Sequence, residues 1–239
     1  MDVVVLENIP FQPDFEKLKK KFRIKEGSSW GPQVERLARE AEAIARPRAM
    51  YGEAFVDLVS DREVMVEGTS FNSRVLRVNL ENTHRVFPFV VTCGLELHDW
   101  AASQEELLPR YYADEIAEEA LREALTVLES HLEERFKLGR TATMNPGSLP
   151  DWPIQAQRSL FSLFGGAAED LGVRLTDSML MVPSKSVSGF LFPTEKSFAS
   201  CQLCSRDRCP SRRAIYNPDL FDEKYQGAQS EFVLGAARE

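Results

Sequence analysis

The chain has 239 residues, 43% of them apolar and 28% charged, with a formal net charge of −8. That length can bury a sizeable core in one or two domains, and no apolar run reaches the roughly 18 residues that span a bilayer. The acidic balance argues against nucleic acid as a partner, since such binding rests on Lys and Arg neutralising phosphates, and the opening MDVVVLENIPF lacks the features of a secretory signal, so a cytoplasmic protein with no membrane contact is expected.

In chain order, residues 13–25 predict a short basic helix with Phe15, Leu18 and Phe22 on one face. Residues 30–46 predict a second helix: Ser28 and Ser29 can cap it, Pro32 suits its first turn, and Leu37, Ala41 and Ile44 repeat at helical spacing before Pro47 stops it. From 52 to 93 the pattern turns β-rich, with Phe55, Val56, Val64, Val66, Val75, Leu76 and Val78 in short runs, ending in the nearly all-apolar stretch Arg85–Cys93. Residues 113–137 are the clearest helix, with a stripe of Leu121, Leu125, Leu128 and Leu132 and a solvated acidic surface. A helix over 153–171 carries Leu160, Phe161, Phe164 and Leu171, and strands follow at Val173–Val182 and Ser186–Phe192. The segment after Tyr216 is polar and reads as a frayed tail or a short helix. The sum is an α+β protein: a helical N-terminal extension over 1–50, a main domain over 51–216, and a polar tail over 217–239.

Three motifs could carry chemistry. The first is Cys201-x2-Cys204-x4-Cys209-Pro210. Clustered cysteines in a chain without an export signal point to metal rather than to disulfides. Two thiolates three residues apart can meet one metal from a single turn, and a third can close the site; zinc or an iron–sulfur cluster would suit it, iron–sulfur being preferred. Cys93 is the expected fourth ligand, with His98 as another choice. Arg206, Arg208, Arg212 and Arg213 surround the motif and would lower its thiol pKa values. The second motif is Met144-Asn145-Pro146-Gly147-Ser148-Leu149-Pro150-Asp151-Trp152, a turn with a glycine for close approach, polar side chains and a flanking aromatic. The third, Pro183-Ser184-Lys185-Ser186-Val187-Ser188-Gly189, sets small residues where something bulky could approach. It is not a Walker loop, and no hydrolase triad supports it, so no catalytic residue is assigned.

In this order and at this distance the last two motifs resemble the reactivation domain of cobalamin-dependent methionine synthase. The resemblance runs from the acidic helix at about 113 to about 202 and is carried by Asn145-Pro146-Gly147, Leu160-Phe161, Gly172-Val173-x-Leu175-Thr176-x-Ser178 and Pro183-x-x-Ser186-Val187-Ser188-Gly189. It implies a twisted antiparallel sheet flanked by helices. It also implies a role in rescuing a cobalamin that has slipped to Co(II): an electron donor such as flavodoxin reduces it, and S-adenosylmethionine methylates the Co(I) formed. The partner would be a corrinoid protein or a cobalamin-dependent methyltransferase, and the chain would be a stand-alone member with an added cysteine motif. Asn145, Pro146, Gly147, Ser148, Trp152, Ser186, Ser188 and Gly189 would form the cofactor-facing surface. Thr143, Ser148 and Ser197 stand where the family carries an arginine and two tyrosines against S-adenosylmethionine, which predicts weak binding of that donor.

Overall fold

The computed structural model describes residues 1–195, 198–209 and 211–226. The chain opens on strand β1 (Val3–Leu6), followed by helices α1 (Phe15–Lys21) and α2 (Trp30–Ile44). Strands β2 (Arg48–Gly52), β3 (Ala54–Leu58), β4 (Glu63–Val66) and β5 (Thr69–Asn72) lead to α3 (Arg74–Asn79), β6 (Arg85–Thr92) and α4 (Leu95–Ala102). The long α5 (Leu107–Phe136) precedes β7 (Thr141–Met144), α6 (Ala156–Ser162) and α7 (Ala167–Asp170). A small hairpin, β8 (Arg174–Leu175) with β9 (Met181–Val182), leads into β10 (Ser186–Pro193).

β6 is the centre of an eight-stranded antiparallel sheet. One of its sides pairs with β10, Ser186 opposite Thr92 and Leu191 opposite Phe87. Its other side pairs with β2 at residues 89–92 and with β3 at 85–86. Pro88 falls in the gap between those two pairings, where neither strand is in register with it, so its missing N–H costs no ladder bond on that side. Both faces of β6 are covered, which explains its continuous apolar run. On one face α1, α2, α4 and α5 close the first core, with Val34, Leu37 and Ala41 of α2 against Ile116, Ala120 and Leu128 of α5. On the other face α3, α6 and β3 to β5 close a second around Phe71, Trp152 and Phe190. Among the described residues, no helix is long and apolar enough to cross a membrane.

The expected α+β class and its twisted antiparallel sheet with helices are present. Several local expectations change. Residues 1–50 are helical as expected but are no appendage: β1 pairs with β2, Val3 opposite Gly52, and α2 packs on α5. Val75, Leu76 and Val78 lie in α3, not in a strand, because Ser73 caps a helix there, its hydroxyl accepting from the Leu76 N–H at 3.0 Å. The 153–171 helix is broken into α6 and α7 around Gly165 and Gly166, and Gly165 holds a φ of 59°. The tail is not frayed over its described part. A π-helical turn at Phe221–Tyr225 buries Tyr225, whose hydroxyl donates to Asn79 Oδ1 of α3 at 3.1 Å; residues 227–239 lie outside the described residues.

Candidate functional site

The loop after β7 is a set of tight turns. The Ser148 N–H and hydroxyl both donate to the Asn145 carbonyl, at 3.1 and 2.6 Å, and the Gly147 N–H donates to Trp152 O at 2.8 Å. Gly147 has a φ of 82°, and a Cβ there would stand 2.8 Å from Ile154 Cδ1, so glycine is required both by conformation and by space. Asp151 ties the loop to α3: it accepts from Ser73 Oγ at 2.5 Å, from the Val75 N–H at 2.9 Å and from Arg62 at 2.8 Å. The sequence reading missed this role of Asp151; its only signal is an acid beside a distant Ser-capped helix, which no local pattern connects.

Trp152 corrects the expectation that it faces a cofactor. Its side chain is fully buried, stacked on Phe190 with ring centroids 5.5 Å apart and edge-on to Phe71. The turns at 145–152 fold the ring back under the sheet, where its large apolar area is removed from water. Pro146 is buried as well.

β10 also divides its small residues. Side chains alternate along a strand, so Ser186 and Ser188 share a face with Phe190, and Gly189 turns the other way. The Ser186 hydroxyl donates to Thr92 Oγ1 at 2.9 Å. Ser188 is buried under α6, its hydroxyl donating to Gln157 Oε1 at 3.0 Å. At Gly189 a Cβ would lie 2.2 Å from the Met144 carbonyl oxygen and 2.7 Å from Asn145 Nδ2. Asn145 Nδ2 in turn donates to Ser188 O at 2.8 Å, locking the loop onto β10. Ser188 and Gly189 are therefore small so that α6 and the end of β7 can close on them. Of the eight residues expected at a cofactor surface, Asn145, Gly147, Ser148 and Ser186 retain exposed area. Beside Ser184, which is exposed, lies a cleft of about 340 Å³ lined by His98, Leu107, Arg110, Tyr111 and Asp114.

The cysteine loop follows β10. A 3-10 turn over Ser200–Leu203 sets the Cys204 N–H toward Cys201 O at 3.3 Å, and Cys201, Cys204 and Cys209 are all half-buried, free thiols. Arg212 stitches the loop: its guanidinium donates to the carbonyls of Cys201 (3.0 Å), Ala214 (3.2 Å), Cys204 (3.2 Å) and Arg206. The sequence reading gave this arginine a role in lowering the thiol pKa values; it also spends its fork of donors on backbone. Arg122 of α5 docks the loop by donating to Ser211 Oγ at 2.8 Å. Partial burial works to raise the Cys201 thiol pKa. The backbone N–H groups of Arg213 and Ala214 and the charges of Arg213 and Arg212 outweigh it and bring the pKa below the ordinary value.

Cys93 is not with them. It lies at the end of β6, fully buried in the first core, and its Sγ donates to Gly94 O at 3.4 Å. Burial pushes its thiol up to about 12, which opposes the thiolate a metal needs. The expected fourth ligand is thus a core side chain in this structure. The apolar stretch Arg85–Cys93 that it ends is the central strand of the sheet. His98, the other choice, lines the cleft beside Ser184. Among the described residues no three His, Cys, Asp or Glu side chains already converge on one point.

Residues 112–214 match the family described as the vitamin B12 dependent methionine synthase activation domain. Over this segment the chain is similar to the methionine synthase activation domain family. The match spans most of α5, the 145–152 loop, β10 and the cysteine loop, so all three motifs fall inside the matched segment, while Cys93 and His98 lie outside it. The fold is similar to a solved structure titled "Crystal Structure of the MetH Reactivation Domain bound to AdoHcy", with a TM-score of 0.59 and 17% identity, covering 84% of this chain and 81% of that one. At that identity the likeness is one of fold. No curated protein matches the chain.

S-adenosylmethionine, the donor that the resemblance implies, finds a poor fit in the loop. Residues 143–152 contain no basic residue and no tyrosine. The Ser148 hydroxyl is committed to Asn145 O, and the space beside Gly147 is filled by Ile154. Arg140, the nearest arginine along the chain, donates to Glu195 O. Ser197 lies outside the described residues.

Proposed function

We propose that the chain reductively reactivates a cobalamin- or corrinoid-dependent methyltransferase of the methionine synthase type. The family match over 112–214 carries this reading. The reaction class is one-electron reduction: a low-potential electron-donor protein is oxidised by one electron and Co(II) on the partner becomes Co(I). The finer part of the proposal gives the cysteine motif to a bound metal, an iron–sulfur cluster in preference to zinc. Such a centre would supply one-electron chemistry, and Cys201, Cys204 and Cys209 would hold it. Arg213 and Ala214 support the reading by presenting N–H groups to the Cys201 sulfur, as an anionic thiolate requires. The surface that meets the corrinoid protein is proposed to run over Asn145, Gly147, Ser148, Ser184 and Ser186. Arg206, Arg208 and Arg213 would add charge for an acidic partner.

The experiment mixes reduced protein with a Co(II) corrinoid protein and follows the loss of the Co(II) absorbance. Ser184 is exposed, so Ser184→Trp tests the surface without disturbing the fold, unlike any side chain at Gly189. A slower loss is expected in Ser184→Trp and in Arg213→Glu. Rates equal to the unsubstituted protein in both would exclude the surface, and no reaction with any corrinoid protein would exclude the function.

A second reading has one observation in its favour: the similar MetH domain was solved with AdoHcy. On that reading the chain binds S-adenosylmethionine and acts in trans. Titration calorimetry separates the two, and the loop chemistry above predicts weak or undetectable binding.

A further inference from the structure

We infer that Cys201 and Cys204 form a redox-active dithiol that exchanges with small disulfides carrying carboxylates and closes to an intramolecular disulfide. The inference goes beyond the proposed function and needs no metal, since it uses two sulfurs and leaves Cys209 aside.

The pair is set by the turn. The Cys204 N–H closes the end of the Ser200–Leu203 segment on Cys201 O at 3.3 Å. In 3-10 winding the side chains of residues three apart eclipse, and three residues rise about 6 Å. A disulfide spans Cα atoms about 4.4–6.8 Å apart, so bonding these two sulfurs asks little of the backbone. Arg212 steadies both ends of the turn, its guanidinium donating to Cys201 O at 3.0 Å and to Cys204 O at 3.2 Å. Cys209 lies outside the turn, beyond the exposed residues 205–208, and Cys93 is buried in the first core. Among the described residues no three potential metal ligands converge. Disulfide exchange asks only for two sulfurs, and the turn supplies them.

The two cysteines differ in their surroundings. Cys204 packs against the second core together with Phe198 and Leu203. Cys201 accepts the Arg213 N–H on its sulfur at 3.4 Å, and Arg213 is exposed. Cys201 is then the sulfur that meets an incoming disulfide, and Cys204 the one that resolves it. In the first step Cys201, having given up its proton, attacks one sulfur of the incoming disulfide. That S–S bond breaks, a mixed disulfide forms on Cys201, and one thiol leaves with a proton. Cys204 then attacks the Cys201 sulfur, the protein disulfide forms, and the second thiol leaves. The pair is oxidised by two electrons, and the incoming disulfide is reduced to two thiols. The charge of the loop sets the class of that disulfide. Residues 200–214 carry Arg206, Arg208, Arg212 and Arg213 against the single acid Asp207, and Arg206, Arg208 and Arg213 are exposed. Such a rim draws an anionic disulfide and repels a cationic one.

The test uses the full chain, freed of bound metal by a chelator so that the outcome is independent of the metal reading, and glutathione as the probe. After incubation with mixed oxidised and reduced glutathione, the remaining thiols are alkylated and the tryptic peptides weighed. Cleavage after Lys196, Arg206 and Arg208 leaves Cys201 and Cys204 in one peptide and Cys209 in another. The expected product is the first peptide short of two hydrogens, with Cys209 alkylated. At a fixed glutathione ratio the folded chain should hold about tenfold more of it than the chain in urea, because the turn pre-organises the pair. Cys204→Ser should stop at a glutathione adduct on Cys201 that added thiol removes. Arg213→Glu should slow oxidation by glutathione disulfide about threefold at low salt and speed oxidation by the cationic disulfide cystamine. A link joining the two peptides, or a folded chain no more oxidised than the unfolded one, would overturn the dithiol. Rates with both disulfides unchanged in Arg213→Glu would overturn the anionic class.

Discussion

The loop at 145–152 and the loop at 198–214 are both turn-rich, and both lie in the segment that matches the activation-domain family, yet they are held by opposite means. The first is anchored from beneath. Trp152 and Pro146 are buried, Asp151 is fastened to α3, and Asn145 is fastened to β10. The second is mostly half-exposed and is drawn together by one guanidinium that reaches four carbonyls. A loop of the first kind keeps its shape with or without a ligand, because apolar burial fixes it. A loop of the second kind has little core of its own, so a single substitution or a bound metal can reset it.

The largest expected effect falls on the first loop. Trp152→Ala removes a fully buried ring stacked on Phe190 and should lower the unfolding free energy by about 4 kcal/mol, read from urea denaturation. A loss under about 1 kcal/mol would return Trp152 to the surface role that the sequence suggested. The second loop should respond differently. Arg212→Gln is expected to change global stability by no more than about 1 kcal/mol, because the loop opens locally and not with the core. It should also make the chain open to trypsin at Arg206 and Arg208 under native conditions, detected by mass spectrometry of the fragments. A full-sized stability loss without new cleavage would show that the loop is integral to the core.

The smallest effect sharpens the contrast at the level of single thiols. Iodoacetamide labelling of Cys201 should reach half its maximal rate below the ordinary thiol pKa, and Cys93, pushed up to about 12, should label only on unfolding. The sign follows from the shift. Cys201 binds its proton less well in the folded chain, so its contribution to stability is present above the unfolded thiol pKa and is lost as pH falls through the lower folded value. Labelling of Cys93 in the native state at a rate near that of Cys201 would contradict its burial.

Some of this was legible in the order of residues alone. The Leu121, Leu125, Leu128 and Leu132 stripe predicts the body of α5, because a helix buries one face and repeats it at every turn. Arg85–Cys93 reads as a buried strand because both of its faces are apolar, and the motifs from Asn145 to Gly189 carry the family resemblance. The tertiary structure decided what local pattern cannot carry. Apolar residues at 75, 76 and 78 suit either a strand or one turn of helix, and the Ser73 cap with Asp151 from 76 residues away selects the helix. Small residues at 188 and 189 suit either a ligand or a close chain crossing, and the approach of α6 and Met144 shows the crossing. A cysteine at 93 is chemically the same as one at 201. Only the packing of β6 under α5 turns the first into a core side chain, while the N–H groups of Arg213 and Ala214 turn the second toward a thiolate.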